Sequence, residues 1–178
     1  YRDVEAKWNK GFMELPAEEL VIISPHNDRI RERFEQAFVK RYALREGKRV
    51  LVWWQKAEGS NAILDTLLAK EADGREQPID VVFGGGVYLF DTLARADLLR
   101  PLTLSKEVQG AIPEDLSGVA LIDPEGFWCG NVLSGFGFLV NKTLLAQAGS
   151  ADLATWQDLG RPELFDQISV ADPGVSGS

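Results

Sequence analysis

Val21-Ile22-Ile23-Ser24-Pro25-His26-Asn27 takes a short apolar strand straight into a loop of small polar residues, and a helix-patterned stretch follows. The same unit recurs twice. Val50-Leu51-Val52-Trp53-Trp54 leads into Glu58-Gly59-Ser60-Asn61, and Ile79-Asp80-Val81-Val82-Phe83 leads into Gly84-Gly85-Gly86. Strands that alternate with helices at this interval form a parallel sheet, because each crossover is right-handed and packs back on the sheet. The three loops then share one edge, at the carboxyl ends of the strands. Open α/β sheets bind ligands at that edge, and helix N-termini there offer N–H groups to an anion.

The stretches between the strands have helical periodicity. Ile30, Phe34, Ala37, Phe38 and Tyr42 make one apolar stripe, and Gly47 stands where that helix should stop. Ile63, Leu64, Leu67 and Leu68 mark a second helix ending near Gly74; Leu89, Phe90, Leu93 and Ala96 mark a third, starting at Val87. All three stripes read as core. Residues 1–16 are charged, with Val4, Trp8 and Phe12 at helical spacing, and read as a short helix or an arm on the main body. After Pro101 the rhythm changes. Residues 102–117 read as a loop with a helical turn, followed by strands at 119–122 and 136–140. A helix over 142–148, a segment over 156–165 and a last strand at 168–171 complete the pattern.

Composition narrows the function. A chain of 178 residues is one domain, or one domain and part of another, and 45% apolar content supports a packed core. A net charge of −8 argues against nucleic acid, whose phosphates require clustered Lys and Arg. Cys129 is the only cysteine, which excludes an internal disulfide and a thiolate metal cluster. No apolar run approaches the ~20 residues that span a bilayer. The sequence opens on Tyr1 and stops at Ser176-Gly177-Ser178, just after a strand and a turn at Asp172-Pro173-Gly174, so it reads as a piece of a longer chain.

Candidate ligand-binding residues lie on the three loops. Ser24 and Asn27 suit helix capping, while His26, the only histidine, sits at a strand end where it could meet a ligand or a metal. Gly59, Ser60 and Asn61 open the second helix. Gly84, Gly85 and Gly86 let backbone approach a ligand closely, without the Lys-Ser/Thr of a P-loop or the dinucleotide spacing. Catalytic signatures are missing: there is no Gly-x-Ser-x-Gly, no His-Glu-x-x-His, and one histidine for any triad. Asp80 and Asp91 read as strand-end and helix-surface residues. Trp53, Trp54 and Trp128 read as core rather than cleft.

Taken in order, Ile-Ile-Ser-Pro-His-Asn, Gly-Ser-Asn, Asp-Val-Val-Phe-Gly-Gly-Gly, Gly-Phe-Trp-Cys-Gly, Gly-Phe-Gly-Phe-Leu-Val-Asn-Lys, Trp-Gln-Asp-Leu and Ala-Asp-Pro-Gly-Val-Ser-Gly-Ser resemble the N-terminal half of an extracellular solute-binding protein. The group is the ferric-ion and phosphonate type that feeds ABC importers, and the likeness runs from Leu20 to Ser178. It implies an α/β chain of the type II periplasmic-binding-protein fold, with two lobes joined by crossing strands. Residues 1–19 would be an arm, 20–140 lobe one with the crossing strand at 136–140, and 141–178 the start of an incomplete lobe two. The anion-binding turn of such proteins maps onto Ser176, Gly177 and Ser178, and their first-lobe contacts onto the loops at His26, Ser60 and residues 84–86. The resemblance implies a periplasmic or lipid-anchored extracellular binding protein, not an enzyme and without a cofactor. It would take a small-molecule or metal–anion ligand (ferric iron, phosphonate or sugar-phosphate class), with an ABC permease as partner and the membrane reached only through it. Ferric members draw tyrosines from late in lobe two, beyond this sequence, so the metal stays open. A ligand-sensing receptor domain and a phosphate-binding α/β enzyme are the alternatives. Strands at the end of an incomplete lobe lack partners, so the expectation is marginal stability or self-association.

Overall fold

The computed structural model describes residues 11–72, 74, 78–135 and 137–172. The architecture is mixed α/β and falls into two compact units, one running through Pro101 and the other Leu102–Asp172. In the first, β1 (Ala17–Ser24), α1 (Asp28–Glu46), β2 (Arg49–Lys56), α2 (Ser60–Ala72), β3 (Val81–Val82) and α3 (Val87–Arg95) follow in chain order. The sheet order is β2-β1-β3 with both pairings parallel, as the alternation of strand and helix requires. β1 runs beside β2 over its whole length, from Ala17 opposite Arg49 to Ser24 opposite Lys56. β3 has only two ladder residues, but the Asp80 and Phe83 N–H groups donate to the Val21 and Ile23 carbonyls, each at 2.9 Å. The Asp80 carboxylate also accepts the Val21 N–H at 2.8 Å, so this acid secures the sheet.

The pleat sends alternate side chains to opposite faces, and the two faces are packed differently. On one, Ile23 joins Ala57, Ile63, Leu67, Leu89 and Leu93 in a core closed by α2 and α3. Each Ile and Leu among them contributes about 1.5–3 kcal/mol by leaving water. The other face carries Leu20, Ile22, Val52, Trp54, Val81 and Phe83, faced among the described residues by α1, and a groove of 230 Å³ opens there. The α1 stripe was expected to be core, and it is not. Ile30, Phe34 and Phe38 are 37%, 48% and 38% exposed, and no residue of α1 is buried. A helix about 10–12 Å across cannot cover three strands spaced ~4.8 Å apart together with the Trp and Phe side chains that stand on them. Phe34 still reaches the sheet, with its ring 4.6 Å from that of Phe83.

Local chemistry sets the ends of α1. Asn27 caps its first turn, accepting the Ile30 N–H at 3.1 Å. Gly47 closes it at φ 66°, a left-handed conformation that costs a side chain, with its N–H on the Ala43 carbonyl. Just beyond, the Lys48 ammonium and the Tyr42 hydroxyl both donate to the Glu18 carboxylate, tying this end to β1. Lys48 first and Tyr42 second hold Glu18 below the ordinary carboxylate range.

The second unit contains α4 (Lys106–Ala111), a hairpin of β4 (Asp115–Leu116) and β5 (Val119–Ala120), α5 (Lys142–Gln147) and 3₁₀ turns at Trp156–Gly160 and Pro162–Leu164. The hairpin lies partly where a loop was expected. Ser117 and Gly118 have φ of 54° and 81°, the paired positive values of a type I′ turn, and Ser-Gly was the signal for it. The α5 helix begins at its Asn141 cap, as the pattern predicts. The strands expected at 136–140 and 168–171 form no ladder among the described residues, and Phe136 lies outside them. Leu139 and Val170 stand out at 104% and 80% exposure. A strand is stable only against a partner, and these stretches have none there. The boundary expected at 140/141 falls inside this unit.

Asp158 organises the turn at residues 154–161. Its carboxylate accepts the Ala154 and Thr155 N–H groups at 2.9 and 2.8 Å and the Thr155 hydroxyl at 3.0 Å, and it pairs with Arg161 at 2.6 Å. The two backbone donors, then the hydroxyl, draw its pKa down to about 2. A depressed carboxylate stabilises the folded turn above its unfolded pKa, and that contribution is lost as the pH falls through the folded value. The Ala154 and Thr155 amides should therefore shift together in an NMR titration with a midpoint near pH 2. Asp158→Asn should remove the transition; a midpoint at the ordinary value of about 4 would refute the account.

The contrast between the two sheet faces is also measurable. In urea unfolding, Ile63→Ala should cost about 2–5 kcal/mol, because its site is fully enclosed. Phe34→Ala, at a half-exposed ring, should cost clearly less.

Candidate functional site

The three carboxyl-end loops meet at one edge of the first unit's sheet. The β1 loop leaves the sheet at Ser24, which is 0% exposed. Its hydroxyl accepts the His26 N–H at 3.2 Å and its carbonyl accepts the Ala57 N–H at 3.0 Å, so Ser24 shapes the loop from beneath rather than facing out of it. Asn27 is occupied as the α1 cap. His26 is half-buried, its ring edge-on to Phe83 at 5.2 Å.

The glycines of the third loop explain how the imidazole is seated. A Cβ on Gly84, at φ 91°, would come within 2.3 Å of His26 Nε2. The ring therefore lies where only a residue without a side chain leaves room. Gly85, at φ 116°, meets Leu89 and the Ser60 hydroxyl, whose oxygen would stand 3.4 Å from a Cβ there. Gly86 is extended and caps α3 without a side chain. From the second loop, buried Gly59 accepts the Ile63 N–H, and half-buried Ser60 and Asn61 open α2. Of the loop residues picked out from the sequence, His26, Ser60, Gly84 and Gly85 are brought together. Ser24 and Asn27 serve the backbone, and Ser176, Gly177 and Ser178 lie outside the described residues.

Two cations beside this edge were not legible as site residues. Arg31, one turn into α1, pairs with Asp28, and its guanidinium lies 5.9 Å from the Trp54 ring centroid. Its Nε is buried and has no hydrogen-bond partner among the described residues. Lys56 ends β2 opposite Ser24. Asp28 is held below the usual carboxylate range by the Arg31 hydrogen bond first, then by Arg31's charge, with a lesser contribution from Lys56. The pattern that could have found them is simple: a base one turn past the Asn27 cap, and a base closing the second strand.

Among the described residues no group of three or more His, Cys, Asp and Glu side chains is placed to hold a metal ion, and no helix is long and apolar enough to cross a membrane. The grooves beneath α1 and beside β2 are not lined by His26, Ser60 or residues 84–86. The described edge brings together the His26 imidazole, the Ser60 hydroxyl and the backbone of residues 84 and 85, with Arg31 and Lys56 nearby. No protein-family model matches this chain, and no curated protein sequence matches it significantly.

The seat of His26 predicts a sharp contrast between neighbouring glycines. Gly84→Ala should displace the imidazole, seen as a shift of its ring proton resonances, and cost about 1–3 kcal/mol in strain. Gly86→Ala meets nothing within 4 Å at a φ of −94° and should leave both the ring and the stability nearly unchanged.

Proposed function

We propose that this chain is part of a solute-binding protein of an ABC importer. In this reading the first unit is one lobe of a type II periplasmic-binding fold, and its loop edge receives a small anion or a metal–anion complex. The observation that carries the reading is the convergence of three separate strand-end loops on His26, Gly84, Gly85 and Ser60. Parallel sheets bind ligands at such edges, and the N-termini of α1, α2 and α3 open there. The chain's overall negative charge does not attract an anion, so local N–H dipoles and the nearby Arg31 and Lys56 must. A second lobe would close over the ligand and present the closed form to a permease in the periplasm.

Thermal unfolding with inorganic phosphate, methylphosphonate and ferric citrate tests this. One of them should raise the midpoint, since a ligand at about a hundred times its Kd adds ~2.7 kcal/mol. Ser60→Asp, which sets a carboxylate on the edge, should remove that rise without changing the unliganded midpoint by more than a few degrees. No rise with any of the three, or an equal rise in Ser60→Asp, would overturn an anion site at this edge.

A further inference from the structure

Arg31 holds a largely buried charge that its surroundings satisfy only in part. Its side chain is 12% exposed and lies over Trp54, whose indole N–H donates to Glu35 at 2.7 Å and so fixes the ring. With Glu35 engaged by the indole, Asp28 is the acid that pairs with Arg31 among the described residues. That pair uses one tooth of the guanidinium. Nη2 donates to Asp28 Oδ1, while Nε is buried and has no partner among the described residues. In a guanidinium the Nε–H and the neighbouring Nη2–H point the same way, as a fork that fits two oxygens of one carboxylate or phosphate. Here the fork is half filled.

A buried donor left unmet costs free energy, so a second oxygen on Nε is favoured wherever one is supplied. Asp28, three residues back on the same helix, gives its oxygen to Nη2 and leaves Nε without one. The two partners are also unequal. Asp28 is 69% exposed, and an ion pair with so open a member is weak, whereas Arg31 is held by burial and by Trp54. The acid can leave while the base stays. Trp54 meets Phe83 at 6.1 Å and Phe83 meets His26 at 5.2 Å, so two rings link Arg31 to the imidazole of the loop edge. Lys56, at the end of β2, acts on Asp28 as well, which sets two cations against one acid.

We propose that Asp28 is a resident stand-in for the ligand: an incoming oxyanion displaces its carboxylate and takes both Nε and Nη2 of Arg31. The class of ligand follows from the fork. It is an anion with two oxygens on one centre, as in phosphate, phosphonate or carboxylate, and not a halide, which offers a single point of contact. Asp28 then sets a ceiling on affinity, because each binding event must first break its pair. This role for Arg31 rests on the reading of the loop edge as an anion site, and it adds which residue grips the ligand and which opposes it.

The test is a titration of the 178-residue chain with inorganic phosphate, acetate and chloride at matched ionic strength, followed on the Arg31 Nε–H resonance. Phosphate or acetate should shift that resonance to saturation, and whichever does so identifies the oxyanion; chloride should not. Asp28→Asn should tighten the binding severalfold. Arg31→Lys keeps the charge but loses the fork, and should weaken binding about tenfold, read from the thermal midpoint, for the loss of one charge-assisted hydrogen bond. A resonance that moves with neither oxyanion, in the parent chain and in Asp28→Asn alike, would overturn the proposal. An equal shift with chloride, or binding no tighter in Asp28→Asn, would do the same. A thermal rise with phosphate that Ser60→Asp removes but Asp28→Asn and Arg31→Lys leave alone would refute this role for Arg31 and keep the edge site. An Arg31 shift that persists in Ser60→Asp would keep the fork and refute the edge site.

Discussion

The parallel pairing of β1 with strands on both sides is the constraint from which the first unit follows. Ile22, Ile23 and Ser24 are buried at 8%, 1% and 0% exposure, so the strand must satisfy its backbone from both neighbours. A parallel neighbour cannot be reached by a tight turn, so a helix must intervene each time. That single requirement sets α1 and α2 in place, returns each strand in the same direction, and delivers the three loops to one edge. The site is thus a by-product of strand direction, and its chemistry depends on which small residues the loops contain.

Packing is unequal across the sheet, and Phe83 sits where the inequality matters. Its ring touches His26 at 5.2 Å, Phe34 at 4.6 Å and Trp54 at 6.1 Å. It therefore joins the loop edge to the loosely covered face under α1, where Trp54 also donates to Glu35 at 2.7 Å. The face under α2 and α3 is closed by aliphatic side chains. A ring cluster with half-exposed members has more freedom than a sealed aliphatic core. The imidazole is backed by the more adaptable half, while Gly85 and Ser60 rest against the closed one.

The second unit is held together differently. Its order comes from short-range devices: the Ser117-Gly118 hairpin, the Asn141 cap, the Asp158 turn and the bracing of Arg161 on the Ala151 carbonyl. Only Trp128, Leu145 and Leu164 are buried among its described hydrophobic residues, so sequence-local hydrogen bonds carry more of its organisation than a shared core does.

What could be read from the sequence was whatever depends on neighbours along the chain. Asn27 before a helix, Gly47 after it, Val87 following three glycines and Asn141 ahead of α5 declared their boundaries, because capping and left-handed turns are decided within a few residues. Strand–loop–helix repetition gave the parallel sheet for the same reason, and with it the shared edge. Burial and pairing were not readable there. The stripe of Ile30, Phe34 and Phe38 has the periodicity of a core helix, yet its exposure depends on how much of the sheet one helix can cover. Residues 136–140 and 168–171 have strand composition, but a strand exists only against a partner, and partners are assigned in three dimensions. The seat of His26 over Gly84 and the placing of Arg31 against Trp54 likewise join residues far apart in the chain, and only the tertiary structure could decide them.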